Sequence, residues 1–260
     1  MIQIPGAAET IKKLLSRNKK VIFVTNNSTK NRETIKDCID RVLGIDMPVQ
    51  FLYSSGIALA SYLKERINPG EKVYLMGTDD LSKILDKHDI DHIGVGSDMD
   101  PCSFHDWDKF IPDPCVKYVI GSFDPYFNYT KLVKAYIYIK ECAAKFIVTN
   151  QDIVYPTSKD RTVPGTGSLL SGLTNAVEAH PTVVGKPSST YYDIIRKEHN
   201  ITDADKVLMV GDNLHTDIQF GINAGIRTAL VLTGVTDRSM LEEAQSPKPT
   251  HVLDSLADLL

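Results

Sequence analysis

The chain has 260 residues, of which 42% are apolar and 24% charged, and its formal net charge is −4. This balance gives no electrostatic case for nucleic acid or a membrane surface, and no apolar run is long enough for a transmembrane helix. The four cysteines lack C-x-x-C spacing, which argues against a zinc site and favours free thiols, so we expect a cytoplasmic protein.

Apolar, β-rich runs alternate with amphipathic helical patterns along the chain. In chain order the sequence predicts a helix over 7–20, a strand over 21–27, helices over 32–44 and 54–67, a strand over 72–77, a helix over 81–88, strands over 115–123 and 145–150 around a helix over 130–143, a strand end within 181–187, a helix over 189–200, a strand over 206–212, a helix over 216–225 and a strand over 227–233. Repeated β-α-β order predicts parallel sheets covered by helices on both faces.

Polar side chains follow three of the predicted strands, at the edge where open α/β sheets bind ligands. In "VTNN", Thr25 and Asn27 can donate to phosphate oxygens, although alone they are better explained as turn residues after a strand. In "VVGKPSSTYY", Gly185 allows close backbone approach, and Lys186 is either a point charge for an anion or a solvated loop lysine.

The third motif is "VLMVGDNLHTDI", in which an apolar strand runs into two aspartates. Asp212 after a strand and a glycine suits a hard cation, which requires oxygen ligands. Asp217 falls in the first turn of the next predicted helix, where an acid also simply favours the helix dipole.

Together and in this order, the three motifs resemble motifs II, III and IV of the haloacid dehalogenase-like phosphatases. The sequence resembles in particular the branch that contains 4-nitrophenyl phosphatases, phosphoglycolate phosphatases and pyridoxal phosphatases. Further similar segments span nearly the whole chain in the family's order: "IPGAAETIKKL", "YSSGIALASYL", "VIGSFDPYFNYTKL", "TNQDIVYP", "PGTGSLLSGL" and "LVLTGVTDRS".

The resemblance implies a doubly wound, Rossmann-like parallel-sheet core with an α/β cap domain inserted between motifs II and III. It places the core at 1–69 and 182–260 and the cap at 70–181. It also implies a homodimer formed through the cap.

The same resemblance implies a Mg²⁺-dependent phosphatase that acts on small phosphorylated metabolites through an aspartyl-phosphate. Asp212 matches the metal ligand and Asp217 its supporting acid. Lys186 matches the catalytic lysine that neutralises charge on the phosphate and the nucleophile.

The substrate contacts are carried over in the same way. Thr25 and Asn27 match the phosphate-contacting pair, and Asn26 between them supplies backbone contacts. Asp152 and Tyr155 lie in the segment that matches the cap's substrate loop. Because pyridoxal phosphatases have a histidine where Tyr155 falls, we do not expect pyridoxal phosphate to be the substrate.

The sequence departs from the family at motif I, an apolar strand ending in D-x-D that carries the nucleophile. The chain begins "MIQIPGAAET", and no D-x-D precedes Thr25. We therefore expect an N-terminally incomplete phosphatase that is nearly inactive as given, because a central strand is costly to discard and loss of a nucleophile lowers turnover on the order of 10⁶-fold.

Other interpretations remain. A catalytically dead phosphate-binding protein of the same fold fits the same residues. The D-x-D formed by Asp98 and Asp100 lies inside the predicted cap, which is the wrong order for a nucleophile. The glycines of "GTGSLLSG" do not have the dinucleotide-binding spacing and do not follow a strand.

Overall fold

The computed structural model of the protein describes residues 4–98, 107–158, 161–243 and 245–260. The described strands are β1 (Phe23–Thr25), β2 (Leu52–Ser54), β3 (Lys72–Met76), β4 (His92–Ile93), β5 (Val116–Gly121), β6 (Lys145–Val148), β7 (Val154–Ser158), β8 (Arg161–Pro164), β9 (Thr182–Val183), β10 (Leu208–Gly211), β11 (Arg227–Val231) and β12 (His251–Leu253). The described helices are α1 (Ala7–Ser16), α2 (Arg32–Leu43), α3 (Ser55–Lys64), α4 (Asp79–Asp86), α5 (Tyr129–Lys140), α6 (Thr166–Val177), α7 (Ser189–Glu198) and α8 (Gln219–Asn223). Among the residues described, no helix combines the length and apolarity needed to span a bilayer.

The chain forms two compact units. The first consists of Met1–Thr25, Arg32–Tyr53 and Lys186–Leu260, and the second of Asn26–Asn31 and Ser54–Gly185. Each unit is therefore built from segments that are distant in sequence.

In the first unit, β10, β11 and β12 form a parallel sheet in that order, and β1 pairs with β2. One apolar cluster of this unit joins α1 and α2 to the segment before β2, and its buried members are Ala8, Ile11, Ile39, Ile45, Met47 and Leu52. A smaller cluster packs on β11 and consists of Leu214, Ile218 and Leu230. These clusters fix the strand ends on which the polar residues of this unit lie.

The second unit has a five-stranded parallel sheet in the order β4-β3-β5-β6-β9. Its strands are apolar on both faces, as a sheet covered on both sides requires, and residues of β3, β5, β6, α5 and α6 form its main core. The antiparallel hairpin β7–β8 follows β6. The sequence did not predict this hairpin, because its residues read as a polar loop.

The α/β class and the parallel sheets predicted from the sequence are confirmed. Serine side chains cap two helix starts, since Ser54 accepts from the Ile57 amide at α3 and Ser188 accepts from the Thr190 amide at α7. The predicted helix over 216–225 is shorter, because a π-helical turn, Leu214–Ile218, precedes α8.

Candidate active site

Asp212 lies where the carboxyl ends of two neighbouring parallel strands meet. It follows β10, and the segment Gly234–Thr236 follows β11, which pairs with β10. Val235 N donates to Asp212 Oδ2 at 2.8 Å, and Thr236 N donates to the Asp212 carbonyl at 3.0 Å. A Cβ on Gly234 would lie 1.9 Å from Asp212 Oδ2, so only glycine allows this approach. The segment therefore fixes the orientation of the Asp212 carboxylate.

Asp217 lies in the π-helical turn that follows, and both of its carboxylate oxygens are used. Oδ1 accepts from Lys186 Nζ at 2.6 Å, while Oδ2 accepts from the amides of Asp212 and Asn213 at 3.1 and 3.2 Å. The Asn213 side chain caps the same turn by accepting from two amides of residues 215 and 216. One buried carboxylate thus holds both the lysine and the loop that carries Asp212.

Lys186 and Thr25 flank α7 in the same unit. Lys186 is 9% exposed and precedes the serine that caps the helix. Tyr191, on the first turn of α7, donates its hydroxyl to the Thr25 carbonyl at 3.1 Å. Burial raises the pKa of Tyr191 well above its ordinary value, which keeps this hydroxyl protonated. The Thr25 strand end is thereby joined to the helix that follows Lys186.

Asn26 and Asp152 belong to the second unit and contact each other. Asn26 Nδ2 donates to Asp152 Oδ1 at 3.3 Å, and Asn150 Nδ2 donates to Asp152 Oδ2 at 2.8 Å. The Asp152 carboxylate is therefore engaged at both oxygens by protein amides.

Asn27 and Tyr155 are the remaining predicted substrate contacts. Asn27 is exposed, and its Oδ1 accepts from the Thr29 amide and hydroxyl at 2.9 and 2.7 Å. Tyr155 lies on β7, is 38% exposed, and packs edge-on against Phe123 with the ring centroids 5.7 Å apart. Both side chains are accessible to a ligand.

The alternative D-x-D is built differently. Asp98 Oδ1 lies 2.9 Å from Lys134 Nζ, and Oδ2 accepts from the Tyr74 hydroxyl at 2.6 Å. A carboxylate that is paired at both oxygens is a poor nucleophile. Asp100 lies outside the described residues.

Comparison with known proteins places the chain in a family. The model of the haloacid dehalogenase-like hydrolases matches residues 2–91, and a HAD-hydrolase-like model matches residues 183–259. The chain is 34% identical to mouse glycerol-3-phosphate phosphatase over 278 residues, covering 99% of this chain and 84% of that protein. It belongs to the haloacid dehalogenase-like hydrolases.

Two further similar proteins agree with this assignment. The 4-nitrophenylphosphatase of Schizosaccharomyces pombe is 35% identical, with 98% of this chain and 87% of that protein covered. The crystal structure of a double mutant of the thermostable NPPase from Geobacillus stearothermophilus superposes with a TM-score of 0.81 at 30% identity, covering 99% of this chain and 93% of that one. The branch that the sequence resembles, and its fold, are thus confirmed.

The haloacid dehalogenase-like site has residues suited to part of a magnesium shell. Asp212 Oδ2 is taken by Val235, whereas the described residues donate no hydrogen bond to Oδ1. Across those same residues, no three His, Cys, Asp or Glu side chains group closely enough to hold a metal alone. Mg²⁺ is usually held by one or two carboxylates, substrate phosphate and water, so a single available carboxylate oxygen fits this ion.

Several residues of the site were not predicted from the sequence. Gly234–Thr236 lie in "LVLTGVTDRS", a segment used above only for its resemblance to the family. Asn150 lies two residues before Asp152 in "TNQDIVYP". A signal for Gly234–Thr236 does exist in the sequence, namely a glycine after the predicted strand that follows the Asp212 motif. Neighbouring parallel strands end at one edge of a sheet, so such a glycine can lie close to Asp212. The role of Asn150 depends on tertiary contacts alone.

Proposed function

We propose that the protein is a Mg²⁺-dependent phosphatase of the haloacid dehalogenase-like type, acting on small phosphorylated metabolites. The observation that carries this proposal is the Lys186–Asp217–Asp212 array, in which a buried ammonium and an oriented carboxylate are fixed by one shared acid. A cation-binding carboxylate beside an ammonium suits a phosphate dianion, whose charge both partners neutralise.

Each residue of the array has a separate task. Lys186 attracts the phosphate and offsets charge that develops during transfer, and Asp217 holds the ammonium in place. Asp212 binds the cation through Oδ1 while Val235 holds Oδ2. The bound magnesium supplies Lewis-acid charge stabilisation and helps orient the phosphate. Thr25, at the end of β1, contributes a hydroxyl for a phosphate oxygen.

The relatives and one residue of the second unit support the proposed substrate class. Relatives named for glycerol 3-phosphate and 4-nitrophenyl phosphate cover nearly all of this chain. Tyr155 is accessible on its hairpin, and we propose that it is a substrate-binding residue. Small esters such as phosphoglycolate and glycerol 3-phosphate are therefore the proposed substrates.

The attacking group is proposed to lie on a motif I strand upstream of the printed sequence, as the family resemblance implies. Two observations support this proposal: β1 and β10 belong to separate sheets, and Leu208 of β10 is 37% exposed although it is apolar. A strand paired between β1 and β10 would cover such side chains. The coding sequence upstream of Met1 tests the idea, and an in-frame extension without an apolar run ending in D-x-D contradicts it.

The second candidate is a phosphate-binding protein without turnover. It fits the same residues, because Thr25, Lys186 and Asp212 suit phosphate binding with or without turnover. Phosphate binding at micromolar affinity, together with no hydrolysis by a chain extended to its natural start, is the expected result for this candidate.

The test of the proposed function is a pair of titrations on this chain, with thermal unfolding as the readout. Inorganic phosphate should stabilise the protein more in the presence of Mg²⁺ than without it, by mass action. Asp212→Asn should remove the Mg²⁺ dependence, and Asp193→Asn, an exposed acid on α7, should not. Retention of the Mg²⁺ dependence by Asp212→Asn would contradict the proposal.

A homodimer formed through the cap and a cytoplasmic location are further proposals, both taken from the family resemblance and the thiol usage. Light scattering at several protein concentrations tests the dimer, and a fluorescent fusion of the natural full-length protein tests the location.

A further inference from the structure

The segment Asn26–Asn31, which directly follows β1, is held by residues of the second unit. Ser55 Oγ donates to the Asn26 carbonyl at 2.7 Å, and Ser54 Oγ donates to the Lys30 carbonyl at 2.7 Å. Both serines are fully buried at the start of α3. The two ends of the segment are therefore fixed by neighbouring hydroxyls.

Two glycines allow the segment to approach this closely. A Cβ on Gly56 would lie 2.7 Å from the Ser28 carbonyl oxygen, and one on Gly185 would lie 2.8 Å from Asn26 Oδ1. Neither glycine has a positive φ, so the requirement for glycine here is one of space.

A buried chain of polar side chains runs from the segment along the carboxyl edge of the parallel sheet. Ser122 Oγ, after β5, donates to Ser28 Oγ at 2.8 Å. Thr149 Oγ1, after β6, lies 3.1 Å from Ser122 Oγ and 2.9 Å from Asn150 Oδ1. All four side chains are at most 5% exposed. Buried polar groups that satisfy one another in this way hold a defined geometry.

The chain then returns to the segment through Asp152. Asn150 Nδ2 donates to Asp152 Oδ2, and Asp152 Oδ1 accepts from Asn26 Nδ2. The network is thus a closed circuit that begins at Ser28 and ends at Asn26, two residues apart. Its far side lies more than 90 residues away in sequence, at the ends of β5 and β6.

We propose that Asn150 and Asp152 are positioning residues, which hold Asn26–Ser28 in the conformation that receives phosphate. The effect on phosphate binding rests on the proposed function. Asp152 acts on the ligand through Asn26 and does not touch the ligand. Since a hydrogen bond to a charged group contributes more than a neutral one, removing Asp152 should weaken phosphate binding about tenfold.

The position of the segment is tested by hydrogen exchange, which needs no ligand. Amides of residues 26–31 should exchange at least tenfold faster in Asp152→Ala than in the unchanged protein, because local opening becomes easier. Asp80→Ala is the matched control, since Asp80 is an exposed acid of the same unit that pairs with Lys83 at 3.5 Å. Unchanged exchange at 26–31 in Asp152→Ala overturns the proposal, as does equal acceleration in the control.

If Asp152→Ala does not fold, Asn26→Ala removes the same hydrogen bond by changing its other partner, which is half-buried. The same faster exchange of the amides of residues 26–31 is then expected. Asn150→Ala should give a smaller acceleration, because Asp152 then keeps the Asn26 contact. No acceleration in either variant overturns the proposal.

A double-mutant cycle separates positioning from ligand contact. Titrations with inorganic phosphate are made on Asn26→Ala, Asp152→Ala and the double variant. If Asp152 acts through Asn26, the double variant loses no more affinity than the weaker-binding single variant. Additive losses overturn the positioning role. If the unchanged protein binds no phosphate, the proposed function fails, and the exchange experiment still decides whether Asp152 holds the segment.

Discussion

The ammonium of Lys186 lies 2.6 Å from Oδ1 of Asp217, and the two residues are 9% and 5% exposed. The other oxygen of Asp217 accepts from two amides of the loop that begins at Asp212. One carboxylate therefore determines the position of the lysine and of the loop that carries Asp212. Substitution of Asp217 should accordingly displace both Lys186 and the loop that carries Asp212.

We predict that Asp217→Asn destabilises the protein by about 3–5 kcal/mol, the usual cost of removing one partner of a buried ion pair. The asparagine keeps an oxygen for the loop amides but removes the charge beside Lys186. Urea unfolding measures the change. Asp193→Asn breaks an exposed pair with Arg196, and it should cost less than about 1 kcal/mol. Similar losses in both variants would contradict the buried pairing.

Gly234→Ala should displace the Asp212 carboxylate and abolish stabilisation of the protein by Mg²⁺. The added Cβ would lie 1.9 Å from Asp212 Oδ2, a contact that the short segment after β11 can relieve only by moving. Thermal unfolding with increasing Mg²⁺ is the measurement.

The control for that substitution is Gly172→Ala, on the exposed face of α6. There the nearest atom, Leu132 Cδ1, is 3.4 Å from the new Cβ. Alanine is favoured over glycine inside a helix, so this variant should be stabilised by about 0.5–1 kcal/mol and keep its response to Mg²⁺. If Gly234→Ala is still stabilised by Mg²⁺, the close contact between residue 234 and the Asp212 carboxylate is not required.

Lys131→Met should destabilise the second unit strongly. Lys131 and Asp124 form an ion pair at 2.6 Å, and their side chains are 0% and 1% exposed. In the methionine variant the buried Asp124 carboxylate loses this partner and keeps its hydrogen bond from the Tyr126 amide. The expected loss is about 3–5 kcal/mol in urea unfolding. Lys83→Met, at an exposed pair, should change stability by less than about 1 kcal/mol. Adding Asp124→Asn should restore part of the loss, and further destabilisation by this second change would argue against the explanation.

Stability should fall as pH drops below about 6.5, the ordinary pKa of histidine, because of His199. Burial, and then the charge of Lys20, lower the pKa of His199 in the folded protein. The unfolded chain then binds the proton more readily, so the contribution is complete above the unfolded pKa of about 6.5 and is lost as pH falls through the lowered value.

The His199 prediction is measured by urea unfolding at pH 7.5 and pH 5.5. His199→Asn should reduce the difference in unfolding free energy between the two conditions, because asparagine does not titrate. Glu198, Tyr53 and Phe51 surround the ring and remain in the variant. His180→Asn, at an exposed position, should leave the difference unchanged. If the difference in unfolding free energy is as large in His199→Asn as in the unchanged protein, other groups cause the pH dependence.

The elements that the sequence predicted well are those whose signals are local. The sequence offers Ser54 or Ser55 and Ser188 or Ser189 as helix caps, and the first serine of each pair is the cap. Strand β10 ends at Gly211, directly before Asp212. The pairing of Lys186 with Asp217 brings together two motifs that the sequence placed at separate strand ends. Such convergence is expected from the rule that parallel strands present their carboxyl ends at one edge.

Other features depend on contacts between distant segments and have no local signal. "NNSTKN" reads as turn residues after a strand, and nothing in it indicates that Ser28 bonds to Ser122. The hairpin β7–β8 has no strand signal in the sequence, because exposed strands lack apolar alternation. Asp217 was expected in an α-helix, whereas the π-helical turn directs its carboxylate at Lys186 and at the amides of its own loop.

The division of the second unit into Asn26–Asn31 and Ser54–Gly185 affects how the protein can be dissected. Expression of 54–185 alone would leave the hydroxyls of Ser54, Ser55 and Ser122 facing solvent or each other in place of the peptide they normally receive. A faithful fragment must therefore carry residues 26–31 as well, through a designed linker or a circular permutation. A proteolytic cut within 32–53 leaves residues 26–31 joined to 1–25, and the segment should leave the second unit only after the buried hydroxyl contacts open.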